Sequence, residues 1–300
     1  MWCASNPWLA AHVPRWGFVR RALSRFMPGE DFDSALKAAG AFRSMQIGAI
    51  FTRLGENVSD LSEATAVVEH YESVLKAASA AGVDAEISVK PTQLGLDIDP
   101  AAALANLNRL AAAAAHVHGF MWLDMEGSAY TDPTIELYTK VRARHREVGV
   151  CLQAYLHRTA DDLGRLLPSG PAIRLVKGAY AEPPDRAFPA KRDVDANYLA
   201  LGVLMLAEVR RGKARLVLGT HDVQLIHRIA QLGNAIGVDR RQIEVAMLYG
   251  ILADELSKLA GKGHPVKDLI AYGTAWYPWY VRRLAERPAN VLFIAHQIFG

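Results

Sequence analysis

Short apolar runs alternate with longer amphipathic segments along most of the chain. The runs are rich in β-branched residues and have the length of buried parallel strands. The segments between them show the helical repeat and begin at residues that cap helices well. The eight predicted strands are QIGAIFTRLG at 46–55, AEISVK at 85–90, FMWLDM at 120–125, VCLQAY at 150–155, IRLVKGAY at 173–180, RLVLGTHD at 215–222, IEVAMLYG at 243–250 and KDLIAYG at 267–273.

Capping residues and glycines predict where the helices begin and end. Asp99 and Asp132 each precede a proline, a pairing that favours a helix start. The two helices are expected to end at Gly119 and Gly149. Further helices are predicted from Ser59 to about Ala81, from Asp193 to near Gly212, and from Asp222 to near Gly233 or Gly237.

The strict alternation of strands and helices predicts the fold class. Eight strands separated by helices in 300 residues indicate a (β/α)8 TIM-type barrel. A doubly wound open sheet is the alternative, but no GxGxxG motif follows the first strand. We expect a short N-terminal helical arm over residues 1–45 and the barrel over residues 46–300.

Composition excludes some classes of function and indicates in which cellular compartment the protein works. Hydrophobic residues make up 51% of the chain, enough for a large core, and the net charge is only +3. No block of lysine and arginine indicates nucleic-acid binding. Cys3 and Cys151 are too few and too far apart for a disulfide framework, and neither has the spacing of a metal ligand. We therefore expect a cytoplasmic protein without a metal site.

The N-terminal segment has two open interpretations. No apolar run in the chain has the length of a membrane span, and the first residues lack the order of a signal peptide. Trp2, Trp8 and Trp16 stand among several arginines. Such a segment either packs on the domain as an arm or contacts a membrane surface, here the inner face of the cell membrane.

Polar residues gather where the predicted strands end. In a (β/α)8 barrel these ends and the following loops build the active site. Six of the eight strands have charged or amide groups there, so a shared pocket is the better interpretation than separate structural roles. The residues are Glu56, Lys90, Asp124, Glu126, Gln153, Tyr155, Arg174, Lys177, Thr220, His221, Asp222 and Tyr249.

Two of these strand ends are suited to an anion. Gly178 would let the backbone approach a phosphate beside the charge of Lys177. Thr220 and His221 open the next predicted helix, whose first N–H groups also favour an anion. Taken alone, His221 would be a capping or core histidine.

The stretch YGTAWYPWYVRRLAERPAN at 272–290 places Arg282 and Arg283 side by side behind an aromatic cluster. Paired charges most often form a solvated helix face. The alternative is a double fork that grips a carboxylate ligand in two places. The residue pattern alone leaves both open.

Seven motifs occur in an order similar to that of the FAD-dependent proline dehydrogenases. They are SVKPTQLGL, WLDMEGS, LQAYLHRT, RLVKGAY, GTHD, MLYG and WYPWYVRRLAERPAN, and the resemblance spans roughly residues 45 to 295. It implies a distorted (β/α)8 barrel whose eighth helix lies over the barrel mouth, with FAD at the strand ends. It also implies oxidation of L-proline to Δ1-pyrroline-5-carboxylate in proline catabolism, with quinone as the electron acceptor.

The resemblance also implies roles for individual residues. Asp124 and Arg174 match the catalytic pair, and Arg174 would stabilise the electron-rich reduced flavin. The substrate would contact Lys90, Tyr180, Trp279, Arg282 and Arg283, with Glu56 as a gate on the first arginine. FAD would contact Met125, Gln153, Arg174, Val176, Lys177, Gly178, Thr220, His221 and Glu286.

Three departures from the family pattern bear on the substrate. Trp279 and Leu269 stand where the family usually has tyrosines, and Ala246 stands where it often has glutamine. The tyrosine replaced by Leu269 would hydrogen-bond the active-site aspartate, so Asp124 is expected to lack that partner. The same chemistry on a different cyclic amino acid is therefore an alternative.

Two other classes of function are kept as alternatives. A barrel lyase would use Lys90 or Lys177 as a Schiff-base nucleophile. A noncatalytic binding protein would keep the fold and have lost turnover through the changes at Leu269 and Trp279.

Overall fold

The fold is a closed barrel of parallel strands. Its structure, a computed structural model, describes residue 19, residues 23–277 and residues 279–281. Eight strands pair in chain order, and the eighth returns to the first. Their bounds are β1 Ile47–Arg53, β2 Ala85–Val89, β3 Phe120–Leu123, β4 Val148–Gln153, β5 Ala172–Val176, β6 Arg215–Gly219, β7 Ile243–Leu248 and β8 Val266–Tyr272.

Helix α1 precedes the barrel, and each of the helices α2–α8 joins two successive strands. The helices are α1 Phe32–Ala41, α2 Leu61–Ala80, α3 Pro100–His116, α4 Thr131–Arg142, α5 Thr159–Leu166, α6 Lys191–Arg210, α7 Val223–Ala235 and α8 Ala253–Gly261. Short 3-10 helices lie at Arg43–Met45, Pro91–Leu94, Ser128–Tyr130, Leu167–Ser169 and Arg240–Gln242. The predicted barrel and its alternation of strands and helices are confirmed.

The predicted helix ends were less accurate than the strands. Asp99 does cap α3, where its carboxylate accepts from the Ala101 amide at 2.8 Å. Asp132 is not a cap, because α4 begins one residue earlier and the Asp132 carboxylate accepts from Arg158 at 2.9 Å instead.

Both predicted ending glycines lie beyond the ends of their helices. Helix α3 ends at His116, and the Gly119 amide binds back to the Ala114 carbonyl at 2.8 Å. Gly149 does not end α4, because it lies inside strand β4.

The strands β1 and β8 close the barrel. They pair without interruption from Ile47 opposite Val266 to Arg53 opposite Tyr272. Between the barrel and the helices lies the main hydrophobic core, which contains fully buried side chains such as Phe51. The strands are therefore buried on both faces, which explains their nearly continuous apolar sequences.

Charged side chains fill the lower end of the barrel, where the strands begin. Arg215 donates to Glu244 at 2.7 Å and to Glu86 at 2.6 Å. Lys267 lies 3.3 Å from Glu86 and 2.6 Å from Asp84. Burial alone would raise the pKa of Glu86, but Lys267 and Arg215 hold that pKa below its usual range. We call these five residues the floor network.

The indole of Trp122 lies between two guanidiniums inside the barrel. Arg215 is 5.1 Å from the ring centroid and Arg174 is 5.4 Å from it, distances suited to cation–π contact. The indole Nε1 donates to Glu86 at 2.5 Å. Trp122 therefore separates the floor network from the upper end of the barrel.

The segment before the barrel packs against it over the residues that the structure describes. Ala35 and Ala39 of α1 belong to the main core, and the ring of Phe32 lies 5.1 Å from that of Phe51. Helix α1 therefore shares its hydrophobic core with the barrel. The expected domain boundary between residues 45 and 46 stays a prediction.

The chain after β8 begins a helix. Residues 276, 277 and 279–281 are helical, and Trp276 donates its indole N–H to Glu30 at 2.9 Å. The remainder of the expected eighth barrel helix lies outside the described residues. Over the part of the chain that the structure describes, none of the helices has the length and apolar character of a membrane span.

Gly149 leaves space for Trp122, and this generates a stability prediction. A Cβ at Gly149 would lie 2.3 Å from Cζ3 of the buried indole. We expect Gly149→Ala to lower the free energy of unfolding by about 1–3 kcal/mol, the usual cost of overpacking. Urea denaturation of both proteins measures the difference.

Gly164→Ala is the matched control. A Cβ there meets nothing within 4 Å, so the variant should keep or slightly raise the stability. Equal stability of Gly149→Ala and the wild type would show that Trp122 does not require the glycine.

Candidate functional site

A cavity of about 820 Å³ lies at the carboxyl ends of the strands. This is near the upper end of the volumes that small-molecule sites have. It brings together most of the predicted site residues, drawn from strands and loops distant in sequence. Those lining it are Lys90, Asp124, Met125, Gln153, Arg174, Val176, Lys177, Gly178, Tyr180, Thr220, His221 and Trp279.

Seven predicted residues do not line the cavity as described, and three of them, Glu126, Tyr155 and Tyr249, lie among the described residues but outside its lining. Glu56 lies at its edge, where its carboxylate accepts from the Tyr180 hydroxyl at 3.4 Å. Arg282, Arg283 and Glu286 lie outside the described residues. Whether the arginine pair binds a carboxylate therefore stays a prediction.

Buried Arg174 and partly exposed Asp124 form an ion pair at the base of the cavity. The Arg174 guanidinium is nearly inaccessible, and its Nη2 donates to Asp124 and, at 2.7 Å, to Ser88. Ser88 in turn donates to the same carboxylate oxygen of Asp124 at 2.8 Å. A buried cation requires such pairing, because desolvation of an unpaired charge is costly.

Asp124 is well supplied with donors despite the departure at position 269. Leu269 lines the cavity and brings no hydrogen-bonding group. The Cys151 thiol lies 3.5 Å from the same oxygen that binds Arg174 and Ser88. The carboxylate thus has three donors among the described residues, and the missing tyrosine does not leave it unpaired.

Residues that line the cavity carry buried polar atoms without a partner among the described residues. They include Nη1 of Arg174, Oε1 of Gln153 and Oγ1 of Thr52. The other amide atom of Gln153, Nε2, donates to the Met125 carbonyl at 3.2 Å, which fixes the orientation of the side chain. One open donor and one open acceptor therefore belong to residues that line the same cavity.

Lys177 is paired with carboxylates rather than left open for an anion. Its Nζ lies 2.5 Å from Asp195 and 2.8 Å from Asp222. Lys191 also approaches Asp195, so two lysines share two aspartates on one side of the cavity. We call these four residues the paired-charge cluster. An anionic ligand here would have to compete with the aspartates.

The glycine after Lys177 is needed for packing as well as for backbone conformation. Gly178 has φ of 125°, and a Cβ there would lie 2.3 Å from the Tyr155 ring. Its role next to a ligand phosphate remains a prediction.

The helix after β6 begins one residue after its predicted start at Asp222, so Thr220 and His221 do not open it. Helix α7 starts at Val223, and Asp222 caps it by accepting from the Leu225 amide at 3.3 Å. The Thr220 hydroxyl accepts from the Asp222 amide at 3.1 Å. Thr220 and His221 therefore lie in the loop before the cap, where both line the cavity.

Thr92 joins three loops around the mouth. Its hydroxyl accepts from the Asn57 amide at 3.2 Å and donates to Glu126 at 2.7 Å. The Thr92 amide donates to the other Glu126 oxygen at 3.2 Å. Glu126 is buried, and burial raises its pKa to about 7 although Thr92 and Lys90 oppose this.

Sequence reasoning missed Cys151 and Ser88. Their signal was the alternation of side chains along a strand, since each lies two residues before a predicted site residue. Ser88 lies on β2 two residues before Lys90, which directly follows that strand, and Cys151 precedes Gln153 on β4. Both pairs therefore share the inner face of the barrel.

Metal binding finds no support in the part of the chain that the structure describes. No three histidine, cysteine or acidic side chains lie close enough together there to hold an ion.

A family model and relatives of known name match this chain. The model is that of proline dehydrogenase, and it matches residues 35–296. Proline dehydrogenase 1 of Bacillus subtilis subsp. natto is 32% identical over 98% of this chain and 96% of its own length. Proline dehydrogenase of Deinococcus radiodurans is 35% identical over 90% of this chain and 87% of its own.

Solved structures share the fold. The proline utilization A protein of Bdellovibrio bacteriovorus, inactivated by N-propargylglycine, superposes with a TM-score of 0.82 at 21% identity. The match covers 89% of this chain and 33% of that protein. A proline utilization A mutant of Bradyrhizobium japonicum gives a TM-score of 0.74 at 21% identity, over 92% of this chain and 32% of that protein.

The raised pKa of Glu126 predicts a pH-dependent stability. Between its ordinary 4.5 and about 7, the folded protein holds a proton that the unfolded chain has released. The free energy of unfolding should therefore fall as pH rises through this window, by on the order of 3 kcal/mol from this group.

Glu126→Gln should remove that component. Urea denaturation at several pH values measures it as the difference between the two proteins. Asp268 is the internal reference, since burial raises its pKa to about 7 as well and its contribution is present in both proteins. A constant difference from pH 4.5 to 7 would contradict the assignment.

Proposed function

The chain belongs to the proline dehydrogenase family, and we propose that its barrel cavity holds FAD and L-proline together. It is accordingly an oxidoreductase of proline catabolism, and its family is flavin-dependent. The proposed reaction converts L-proline to Δ1-pyrroline-5-carboxylate. When bound, the flavin accepts a hydride from the ring carbon next to the proline nitrogen.

One observation carries the assignment of the flavin to this cavity. Arg174 Nη1 and Gln153 Oε1 are buried without partners, and both residues line the cavity. A buried donor or acceptor left unpaired costs about 1–3 kcal/mol. The edge of a flavin ring carries both donors and acceptors, so it can satisfy both atoms.

The buried cation at position 174 suits the redox step. A guanidinium fixed in the barrel by Asp124 and Ser88 stabilises negative charge that develops on an adjacent group, without reorganisation of solvent. We propose that Arg174 does so for the reduced flavin. Asp124 then serves as its counter-ion and, by resemblance, faces the substrate.

The phosphates of FAD are proposed to lie along the other side of the cavity. Lys177 and Gly178 follow β5, Thr220 and His221 follow β6, and all four line the cavity together with Val176 and Met125. Because Lys177 is shared by Asp195 and Asp222, the phosphates would replace carboxylates as its partners. The proposal keeps Glu286 as a ribose contact by resemblance alone.

The substrate carboxylate is proposed to bind cations at the mouth. Lys90 is buried and lines the cavity, as expected of a residue close to an anion. Arg282 and Arg283 would complete the clamp, because planar forks bind a carboxylate in two places. Tyr180 would pack on the ring, and Glu56, within 3.4 Å of its hydroxyl, would act as the gate.

The electron acceptor and the cellular site complete the proposal. A membrane quinone is proposed as the acceptor, with peripheral contact at the inner face of the membrane. The support is the resemblance and the tryptophan-rich sequence at 1–18, which lies outside the described residues.

One alternative substrate has an observation in its favour. Trp279 and Leu269 both line the cavity, so the two departures from the family pattern lie at the binding site itself. A different cyclic amino acid is therefore the second candidate. The lyase alternative is weaker for Lys177, because its amine is already bound to two carboxylates.

The proposed function predicts how the protein responds to its cofactor and its substrate. The purified protein should bind FAD, take its yellow absorbance, and lose it when L-proline is added without oxygen. Absorbance spectra before and after addition measure both steps. A protein that remains colourless with added FAD would contradict the cofactor, and a yellow protein that L-proline does not bleach would contradict the substrate.

The proposed function also predicts that Trp279 limits the size of the substrate ring. Tyrosine is smaller than tryptophan, so Trp279→Tyr should enlarge the cavity beside the substrate. We expect the ratio of kcat/KM for L-pipecolate to that for L-proline to rise by about tenfold, within the usual worth of one methylene. Steady-state kinetics with both substrates measure the ratio.

Tyr280→Phe is the control for this prediction. Tyr280 lies next to Trp279 but does not line the cavity, and its buried hydroxyl has no partner among the described residues. The variant should leave the ratio unchanged. An unchanged ratio in Trp279→Tyr as well would show that Trp279 does not set ring size.

A further inference from the structure

We propose that Cys151 is a positioning residue that fixes the plane of the Arg174 guanidinium and links it to Asp124. The inference rests on the function proposed above. It gives a role to a thiol that neither the family motifs nor the strand-end pattern had singled out.

Cys151 contacts both of the charged groups, which also bind each other directly. It stands opposite Arg174 in the register of β4 and β5, so the two side chains leave the barrel wall side by side. Arg174 Nε donates to Cys151 Sγ at 2.9 Å, and Sγ lies 3.5 Å from Asp124 Oδ1. The thiol is buried, with 3% of the residue exposed, and it lines the cavity.

The hydrogen bond to Nε constrains Arg174 in a way that its other partners do not. Ser88 and Asp124 both bind Nη2, so together they hold only one end of the guanidinium. A guanidinium is planar, and fixing Nε as well as Nη2 also fixes the direction of Nη1. Nη1 is the buried donor that the proposed function assigns to the flavin.

The protonation state of the thiol allows both contacts. Burial raises the pKa of Cys151 to about 12, so the sulfur keeps its proton. It accepts from Arg174 and donates its own proton toward Asp124, which forms a closed ring of three side chains. A thiolate would instead neutralise Arg174 and repel Asp124.

Three substitutions separate hydrogen bonding from packing. Cys151→Ser keeps a donor and an acceptor, Cys151→Val fills the volume with neither, and Cys151→Ala removes both. Val150→Ala is the matched control, because Val150 is buried in the core on the opposite face of the same strand. Thermal denaturation of each variant shows whether it folds.

The measurements are made on the FAD-loaded proteins without oxygen. They are the maximal rate of flavin reduction and the KM for L-proline in rapid mixing, the flavin absorbance spectrum, and the flavin midpoint potential. We expect Cys151→Val and Cys151→Ala to reduce the maximal rate by about tenfold or more, the range for a hydrogen bond to a charged group. KM should change by less than about twofold.

The spectrum and the potential test positioning apart from turnover. Both should shift in Cys151→Val, with the potential moving to lower values because Nη1 no longer stabilises the reduced flavin. Cys151→Ser should recover most of the rate and the wild-type potential. Val150→Ala should match the wild type in rate, spectrum and potential.

The outcomes distinguish this proposal from the function on which it rests. A wild type that binds no FAD, or that L-proline does not bleach, overturns both. A normal wild type with a Cys151→Val variant of unchanged rate and potential overturns only the positioning role. The positioning role is also overturned if Cys151→Ser is as impaired or as unfolded as Cys151→Val, because packing then explains the effect.

Discussion

Charges buried inside a closed barrel must be paired there, and this constraint organises the structure from its floor to its mouth. Two arginines lie on either side of the Trp122 indole, one 5.1 Å and the other 5.4 Å from the ring. The lower one is neutralised by Glu86 and Glu244, and the upper one by Asp124. The upper pair thus belongs both to the packing of the barrel and to the lining of the cavity, so the charge that we propose as catalytic is held by the same contacts that fill the interior.

The sequence predicted the barrel well because its strands are buried on both faces, which makes them continuous apolar runs between capped helices. It predicted helix ends poorly where tertiary contacts outweigh local preference. Asp132 binds Arg158 rather than capping α4, and Gly149 is a glycine because the Trp122 ring occupies the space of its side chain. Neither contact can be inferred from neighbouring residues.

In the candidate site, too, the sequence predicted which residues take part better than it predicted their contacts. Residues at strand ends were found because polar groups are rare in buried strands, and eight of the twelve polar residues predicted there line a single cavity. What they bind within the protein was not predictable, since it depends on side chains brought from other strands. Lys177 was expected to be open to an anion, but it is paired with Asp195 and Asp222. Cys151 was overlooked because a single cysteine in an apolar strand looks like ordinary core.

Different interactions hold the two sides of the cavity rim, and the hydrogen bonds of Thr92 hold one of them. The Thr92 hydroxyl and amide connect Asn57 to Glu126, so hydrogen bonds tie together the loops after β1, β2 and β3. The loops after β5 and β6 are joined instead by the paired-charge cluster, whose members are partly exposed and can exchange partners at little cost. Entry of a large ligand would therefore disturb fewer buried hydrogen bonds on the side of the paired-charge cluster than on the side of Thr92.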